Sequence, residues 1–375
     1  MPANALPVLI AGAGPTGLAA ALLLARRGVA VRIVDKAPVP SRTSKALAVN
    51  PRTQDLLEDT GVTARMLAEG WAIRGASLHR PGQDELAVPL SPLLDTDHSM
   101  LALAQSRTEA LLAEALAAQG VTVQRGVRLD ALNQAEDAVE VSLVHADGSV
   151  ERTQAPVLFG ADGAHSTVRQ ALGLAFPGDE LPEPWLLWDL RLATPLDPER
   201  VHLMLLPDGF LFVLRLQGDL WRVIGNGNAP LSALPAGTVC GEVQWQSHFH
   251  IAHRVAERAG VGRVLLGGDA AHIHSPLGAR GMNLGIEDAY VFADCAADAL
   301  AGHRSRLVNY AQLRHPVHRQ VVRRIAALTG LMHGRPVALR ELRDALVPRL
   351  MRFWPARRQF LRVAGGLDHP LRTRC

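Results

Sequence analysis

Apolar positions change their period along this 375-residue chain, and the changes mark its elements. "LPVLIAGAG" is a continuous apolar run ending in glycines, the pattern of a parallel strand buried on both faces. "PTGLAAALLLARRG" has the length of a helix, with Pro15 near its start and Gly28 at its end. "VAVRIVD" reads as a second strand and completes a βαβ unit. "RTEALLAEALAAQG" predicts an amphipathic helix, and "VTVQRGVRLDAL" and "VEVSLVHADGSVER" predict strands, with a hairpin turn at Asp147-Gly148. "APVLFGADGAHSTVRQALG" repeats the order of strand, Gly-Asp-Gly turn and helix. Between residues 185 and 226 the alternation becomes strand-like in "WLLWDLRL", "VHLMLL", "FLFVLRL" and "LWRVIG", predicting a mostly antiparallel sheet. "RVLLGG" then runs through a Pro/Gly turn into the helix "GMNLGIEDAYVFADCAADAL", and the rest of the chain reads as helical.

The first unit also carries chemistry. Gly12-Ala13-Gly14-Pro15-Thr16-Gly17 fits GxGxxG, and Asp35 closes the second strand 18 residues after Gly17. The glycines alone say little, but strand before, helix after and acid at that distance form a dinucleotide fingerprint. Glycines admit a pyrophosphate to the backbone, the helix N-terminus offers N–H donors, and Asp35 can accept from a ribose hydroxyl. "LLGGDAAHIHSPLGARGMNLG" packs an acid, a tight turn and a helix start into one stretch. His272 and His274 in it suggest a metal pair, yet no further cluster has ligand spacing, and the expectation is that there is no metal.

Composition narrows the class. At 48% hydrophobic and 20% charged the chain is globular material. Lys36 and Lys45 are its only lysines, so its basic residues are almost all arginine, which reads as codon bias and not as a nucleic-acid signature. From Gly302 onward sixteen Arg face three acids, a tail that suits a membrane surface or an anionic partner but reads more simply as solvated helix faces. Cys240, Cys295 and Cys375 lie far apart, excluding a disulfide framework or a redox dithiol and pointing to a reducing cytoplasm. Ala5 to Ala25 is uncharged, but its glycines belong to the fingerprint, so neither a signal peptide nor a transmembrane helix is expected.

Taken in order, the GxGxxG unit with Asp35, Asp162-Gly163 in "GADGAHSTVR", and "GGDAAHIHSPLGARGMNLGIEDA" resemble the three motifs of the class A FAD-dependent aromatic hydroxylases of the p-hydroxybenzoate hydroxylase type. The resemblance runs along nearly the whole chain. It implies an α/β fold: a Rossmann-like FAD-binding domain of the glutathione-reductase type, an inserted mostly antiparallel substrate sheet, and a helical C-terminus. The segments expected are 1–75, 98–180 and 261–330 for FAD, 76–97 and 181–260 for the substrate sheet, and 331–375 for the C-terminal helices. Gly12, Gly14, Pro15, Thr16, Gly17, Asp35 and Lys36 match the positions around the ADP half of FAD, and Asp162, Gly163 and Asp269 those along the pyrophosphate and ribityl chain. Pro276 matches the proline beside the isoalloxazine, where it counts as the catalytic position. Gly281, Met282 and Asn283 match the helix start facing the flavin N1/C2 edge. Gln105 in "QSRTEALL" and the backbone of Leu129 are implied as further FAD contacts. Lys45 stands where relatives usually carry Arg, a point charge in place of a planar fork, with Arg42 nearby.

The activity implied is monooxygenation: NAD(P)H transiently docks and reduces FAD, O2 adds at flavin C4a, and the hydroperoxide hydroxylates an aromatic or quinoid small molecule. Alternation places Leu186, Trp188, Leu190 and Leu192 on one face of their strand and Phe210, Phe212 and Leu214 together on theirs, and both sets are the expected apolar pocket wall, with His202 and Arg215 as its polar candidates. The alternatives are a flavin reductase or oxidase of a prenyl or quinoid compound, and a non-catalytic binding protein that keeps the fold. A cytoplasmic monomer or homodimer with no nucleic acid and no stable membrane insertion is expected.

Overall fold

A computed structural model describes residues 6–41, 46, 48–90, 98–207, 209–226, 230–333 and 337–374. Its helices in chain order are α1 (Pro15–Arg26), α2 (Pro51–Leu57), α3 (Val62–Glu69), α4 (Gln105–Ala118), α5 (Thr167–Ala171), α6 (Gly281–Leu300), α7 (Ser305–His333), α8 (Val337–Arg352) and α9 (Trp354–Ala364). The glycine-ended apolar runs form one six-stranded sheet, in which the strands Val264–Leu266, Leu158–Gly160, Val8–Ala11, Val31–Asp35 and Gln124–Arg125 are parallel neighbours. Gly260–Val261 adds an antiparallel edge.

The three central strands, Val264–Leu266, Leu158–Gly160 and Val8–Ala11, are apolar at every position because both faces are covered. Val8, Ile10, Ile33, Phe159 and Leu265 face a core shared with α1, α4 and α6, while Leu9, Ala11, Val34, Leu158 and Leu266 face a second core. That second core is closed by the antiparallel strands Arg128–Gln134, Val139–Val144 and Val150–Ala155. The sheet is therefore the middle of three layers.

A separate seven-stranded sheet draws on two stretches of chain, 75–89 and 185–249. Its pairs are antiparallel except where Gly75–Arg80 runs parallel to Arg200–Leu206. It too is apolar on both faces. Trp185, Leu187, Leu205, Phe210, Leu214 and Ile224 belong to one cluster, and Trp188, Leu190, Leu192, Met204, Leu211 and Val223 to another. Helices α7, α8 and α9 lend Met332, Val347 and Leu361 to the first cluster, which places the helical C-terminus over that face.

Candidate active site

The three glycine-containing motifs meet because their strands are neighbours. Ala11 is in register with Gly160, and Gly160 with Leu266, so the three following turns leave one end of the sheet side by side. Contacts with no room for a side chain hold them there. A Cβ on Gly12, whose φ is +103°, would sit 2.2 Å from the carbonyl oxygen of Ala161. A Cβ on Gly285 in α6 would sit 2.2 Å from Thr16 Oγ1, so Thr16 ties the first motif to the third. Gly14 differs: nothing lies within 4 Å of where its Cβ would be. It is also the N-cap of α1 and offers no capping side chain, leaving first-turn N–H groups for an anion.

Asp35 is held beside this turn. Its Oδ2 accepts from Ala13 N at 2.6 Å and its Oδ1 from Ala37 N at 2.7 Å, with Arg125 Nη1 3.9 Å away. Arg125 was not singled out by sequence, since only the pairing of Gln124–Arg125 with Val31–Asp35 brings it there. Lys36 is exposed next to it. Gln105 opens α4, accepting from Ala46 N at 3.2 Å and donating to Glu109 Oε1 at 2.8 Å. Leu129 is buried in the antiparallel layer, in register with Leu143. Lys45 and Arg42 lie outside the described residues.

In the second motif the Asp162 carboxylate is committed to the protein. It accepts from Ser166 Oγ at 2.5 Å, Thr167 N at 2.7 Å and Val168 N at 3.2 Å, fastening the start of α5. A ligand would meet the backbone here, at Gly163 with φ +85° and open space around its Cβ position. Asp269 is exposed at the turn after Val264–Leu266.

The third motif builds a turn and a helix end. Ala279 N donates to Pro276 O at 3.0 Å, and Ala279 at φ +53° is the one non-glycine with positive φ among the described residues. Such strain is of the kind kept at ligand sites. The N-cap of α6, Arg280, makes no side-chain cap, so N–H groups at Gly281 and Met282 open α6 uncapped. Asn283 faces inward: its Nδ2 donates to Ala48 O and Ala279 O, and its Oδ1 accepts from Asn50 N at 3.0 Å. Its amide holds the turn, so only its backbone is left for a ligand.

Behind α6 lies a buried ionic network that sequence reasoning missed. Asp288 Oδ2 accepts from Gly268 N and His272 Nε2, while Oδ1 accepts from Arg314 Nε at 2.6 Å and His318 Nε2 at 2.7 Å. Burial pushes the Asp288 carboxyl up, but His318, Arg314 and His272 outweigh it and hold the group well below the usual carboxylate range. His272, Asp288 and His318 bring ligand-type atoms within 4.8 Å of one another. With both His Nε2 atoms donating and a guanidinium on the same carboxylate, the set is an ion-pair network that opposes another cation. His274 turns elsewhere, its Nδ1 donating to Ser275 O, so the two histidines of the motif do not converge.

The turn faces a cavity of about 240 Å³. Leu277, Gly278 and Ala279 line one side, Leu78, Val201, Leu203 and Phe212 the sheet side, and Leu328, Val347, Met351 and Phe360 the helical side. Ser77 is the one polar residue on this lining, and its hydroxyl is spoken for, donating to Glu85 Oε1 at 2.5 Å. Phe212 lines the cavity, while Phe210 and Leu214 are buried in the adjoining core. Trp188 and His202 do not line it: they lie on the opposite face with Leu186, Leu190 and Leu192. His202 bonds His79 Nε2 through Nδ1 at 3.0 Å and Asp197 O through Nε2 at 2.9 Å. Arg215 stacks on the Trp71 ring, 4.0 Å from its centroid.

Comparison with known proteins agrees with this geometry. A family model described as FAD binding domain matches residues 5–209 and 229–325. The chain is 34% identical over 397 residues to a 6-methylpretetramide 4-monooxygenase of Streptomyces rimosus, covering 98% of this chain and 67% of that protein. It is 36% identical to a rifampicin monooxygenase of Streptomyces venezuelae, covering 91% of this chain and 75% of the other. Among solved structures, the anhydrotetracycline hydroxylase from Streptomyces rimosus superposes with a TM-score of 0.82 at 31% identity, covering 98% of this chain and 77% of that one.

Proposed function

Because the chain belongs to the class A FAD-dependent aromatic hydroxylases and is a FAD-dependent monooxygenase, we propose that it uses NAD(P)H and O2 to hydroxylate an uncharged, apolar aromatic compound held in the cavity beside the Pro276–Ala279 turn. The observation that carries this reading is the convergence of three side-chain-free approaches, at Gly12, Gly14 and Gly285, next to a cavity with apolar walls. The residues fit FAD. Gly14 and the start of α1 suit its pyrophosphate, Asp35 and Arg125 its adenosine ribose, the Gly163 backbone and Asp269 its ribityl chain, and the start of α6 its electron-rich pyrimidine edge.

In this reading the six-stranded sheet is a Rossmann-like FAD-binding domain and the seven-stranded sheet an inserted substrate domain, on the segment boundaries given above. Helices α8 and α9 complete the substrate wall. When bound and reduced, FAD supplies the oxygen-activating chemistry, and a nicotinamide cofactor docks transiently to reduce it. The protein orients the ring, excludes water and strains the turn that carries Pro276.

The cavity also bears on the substrate. Among the described residues no titratable side chain lines it. A carboxylate brought here finds no cation, and burying one unpaired costs several kcal/mol. The ring must carry its own electron-releasing group, since no base stands ready to ionise it. Relatives named as monooxygenases of 6-methylpretetramide and of rifampicin support a small-molecule substrate.

The test is anaerobic stopped-flow reduction of the holoenzyme by NADPH and by NADH, with naphthol and with its hydroxynaphthoate analogue. Neutral naphthol should speed flavin bleaching about tenfold or more, and the carboxylated ring should not. Fast reduction without any aromatic compound would instead mark a reductase or oxidase.

A further inference from the structure

The helices that wall the cavity carry a different surface on their outer side. Val347, Leu350 and Met351 of α8 and Ala356 and Phe360 of α9 line the cavity. Where the two helices meet, Phe353 is 62% exposed and Trp354 48%, with Pro355 also exposed behind them. Arg349, Arg352 and Arg358 are exposed around this pair, and Arg357 lies 5.4 Å from the centroid of the Trp354 ring. From residue 345 to 367 the sequence holds five arginines and no acid. Scattered exposed apolar side chains mean little, but two adjacent aromatics ringed by arginines have the composition of an interfacial segment.

We propose that the α8–α9 corner docks on an anionic lipid surface, Phe353 and Trp354 entering the headgroup layer and the arginines meeting lipid phosphates. The charge pattern selects this occupant. A second copy joined through the same patch in a two-fold arrangement would set the exposed Arg349 and Arg352 against their own copies, with no acid between residues 345 and 367 to relieve them. Lipid phosphates complement the arginines, and the interface is where Trp prefers to sit. No described helix is long and apolar enough to cross a membrane, so the contact is peripheral. Continuity with the cavity gives it a use. The inner face of the same two helices lines the cavity to which the proposed function assigns an apolar substrate, and apolar compounds concentrate in lipid, so the docked corner shortens the path from bilayer to cavity.

The test measures lipid binding directly and needs neither substrate nor turnover, so it stands apart from the hydroxylase reading. The FAD-loaded full chain is sedimented with vesicles of phosphatidylcholine alone and of phosphatidylcholine with phosphatidylglycerol. Partitioning should be about tenfold stronger onto the anionic vesicles and should weaken as salt is raised. Phe353→Ser with Trp354→Ser should lower it on the order of tenfold, and Arg349→Gln with Arg352→Gln should reduce the preference for anionic lipid. In both double variants the flavin-to-protein absorbance ratio and the thermal midpoint should match the wild type, which shows that they fold and load FAD. Equal binding to both vesicles, or binding that survives both variants, overturns the proposal. So does a dimer in light scattering that Phe353→Ser with Trp354→Ser dissociates, for then a second copy covers the patch.

Discussion

At the scale of single residues, the glycines of the first motif divide by what stands opposite them. Gly12 needs its positive φ and its closeness to Ala161, so Gly12→Ala strains the backbone and forces two turns apart. Gly14 has φ −76° and empty space before it, a conformation alanine adopts freely. Gly14→Ala should therefore leave stability within about 0.5 kcal/mol of wild type. FAD affinity should nevertheless fall about tenfold or more, because the methyl fills the approach proposed for the pyrophosphate. Thermal melts of the apoprotein and flavin titration check the two halves. Loss of stability without loss of FAD would move the pyrophosphate elsewhere. Spacing in the sequence marks both glycines alike. Their division depends on Ala161, nearly 150 residues away, and local pattern does not carry that.

At the scale of elements, α6 is oriented from behind by Asp288 and from its start by Asn283. Asp288→Asn keeps the shape but offers one neutral oxygen where Arg314, His272 and His318 now share a carboxylate. Arg314 would then keep only its longer contact to Glu287, Nη2 to Oε2 at 3.4 Å, and the loss should cost up to about 3–5 kcal/mol and loosen FAD through the displaced helix start. Denaturant melts and the flavin-to-protein absorbance ratio read these together, and an unchanged midpoint would show the network to be dispensable. The helix was legible to the residue, from Gly281 to Leu300, because a glycine turn and a long apolar pattern bound it. Its acid was not, since Asp288 looks like any polar residue until α7 packs Arg314 and His318 against it. Strand faces show the same limit. Alternation separates Leu187 from Trp188 correctly, but both faces of that sheet are buried, and periodicity cannot say which one meets the cavity.

At the scale of the whole molecule, the interior between α6, α7 and the C-terminal segment is ionic, and its titration should set how stability follows pH. Burial outweighs nearby Asp288 and pushes His318 down to about 4, and burial pushes His274 down to about 3. Unfolded, both return toward 6.5, so between 6.5 and 4 the unfolded chain binds protons that the folded chain refuses. Stability must then fall as pH drops through that window. Glu287 and Asp368 act lower. Burial opposes their charge, but the facing Arg280 and His369 hold both down to about 2, so their contribution is present above the ordinary carboxylate range and is lost as pH approaches 2. His369 has the opposite sign. Burial lowers it, yet Asp368 and Glu287 together raise it, so its contribution is complete below 6.5 and is lost as pH rises through the raised value. A stability maximum near neutrality follows, with a long acid shoulder. Calorimetry of the holoenzyme across this range should show the midpoint falling from pH 6.5 to 4, with up to about one proton less taken up on unfolding in His318→Gln. A midpoint flat over that interval, or a His318→Gln slope equal to wild type, would mean that His318 is protonated in the fold and pairs with Asp288 as a cation. The ionic core would then be nearer to charge balance than its burial implies, and its acid limit would fall to the carboxylates alone.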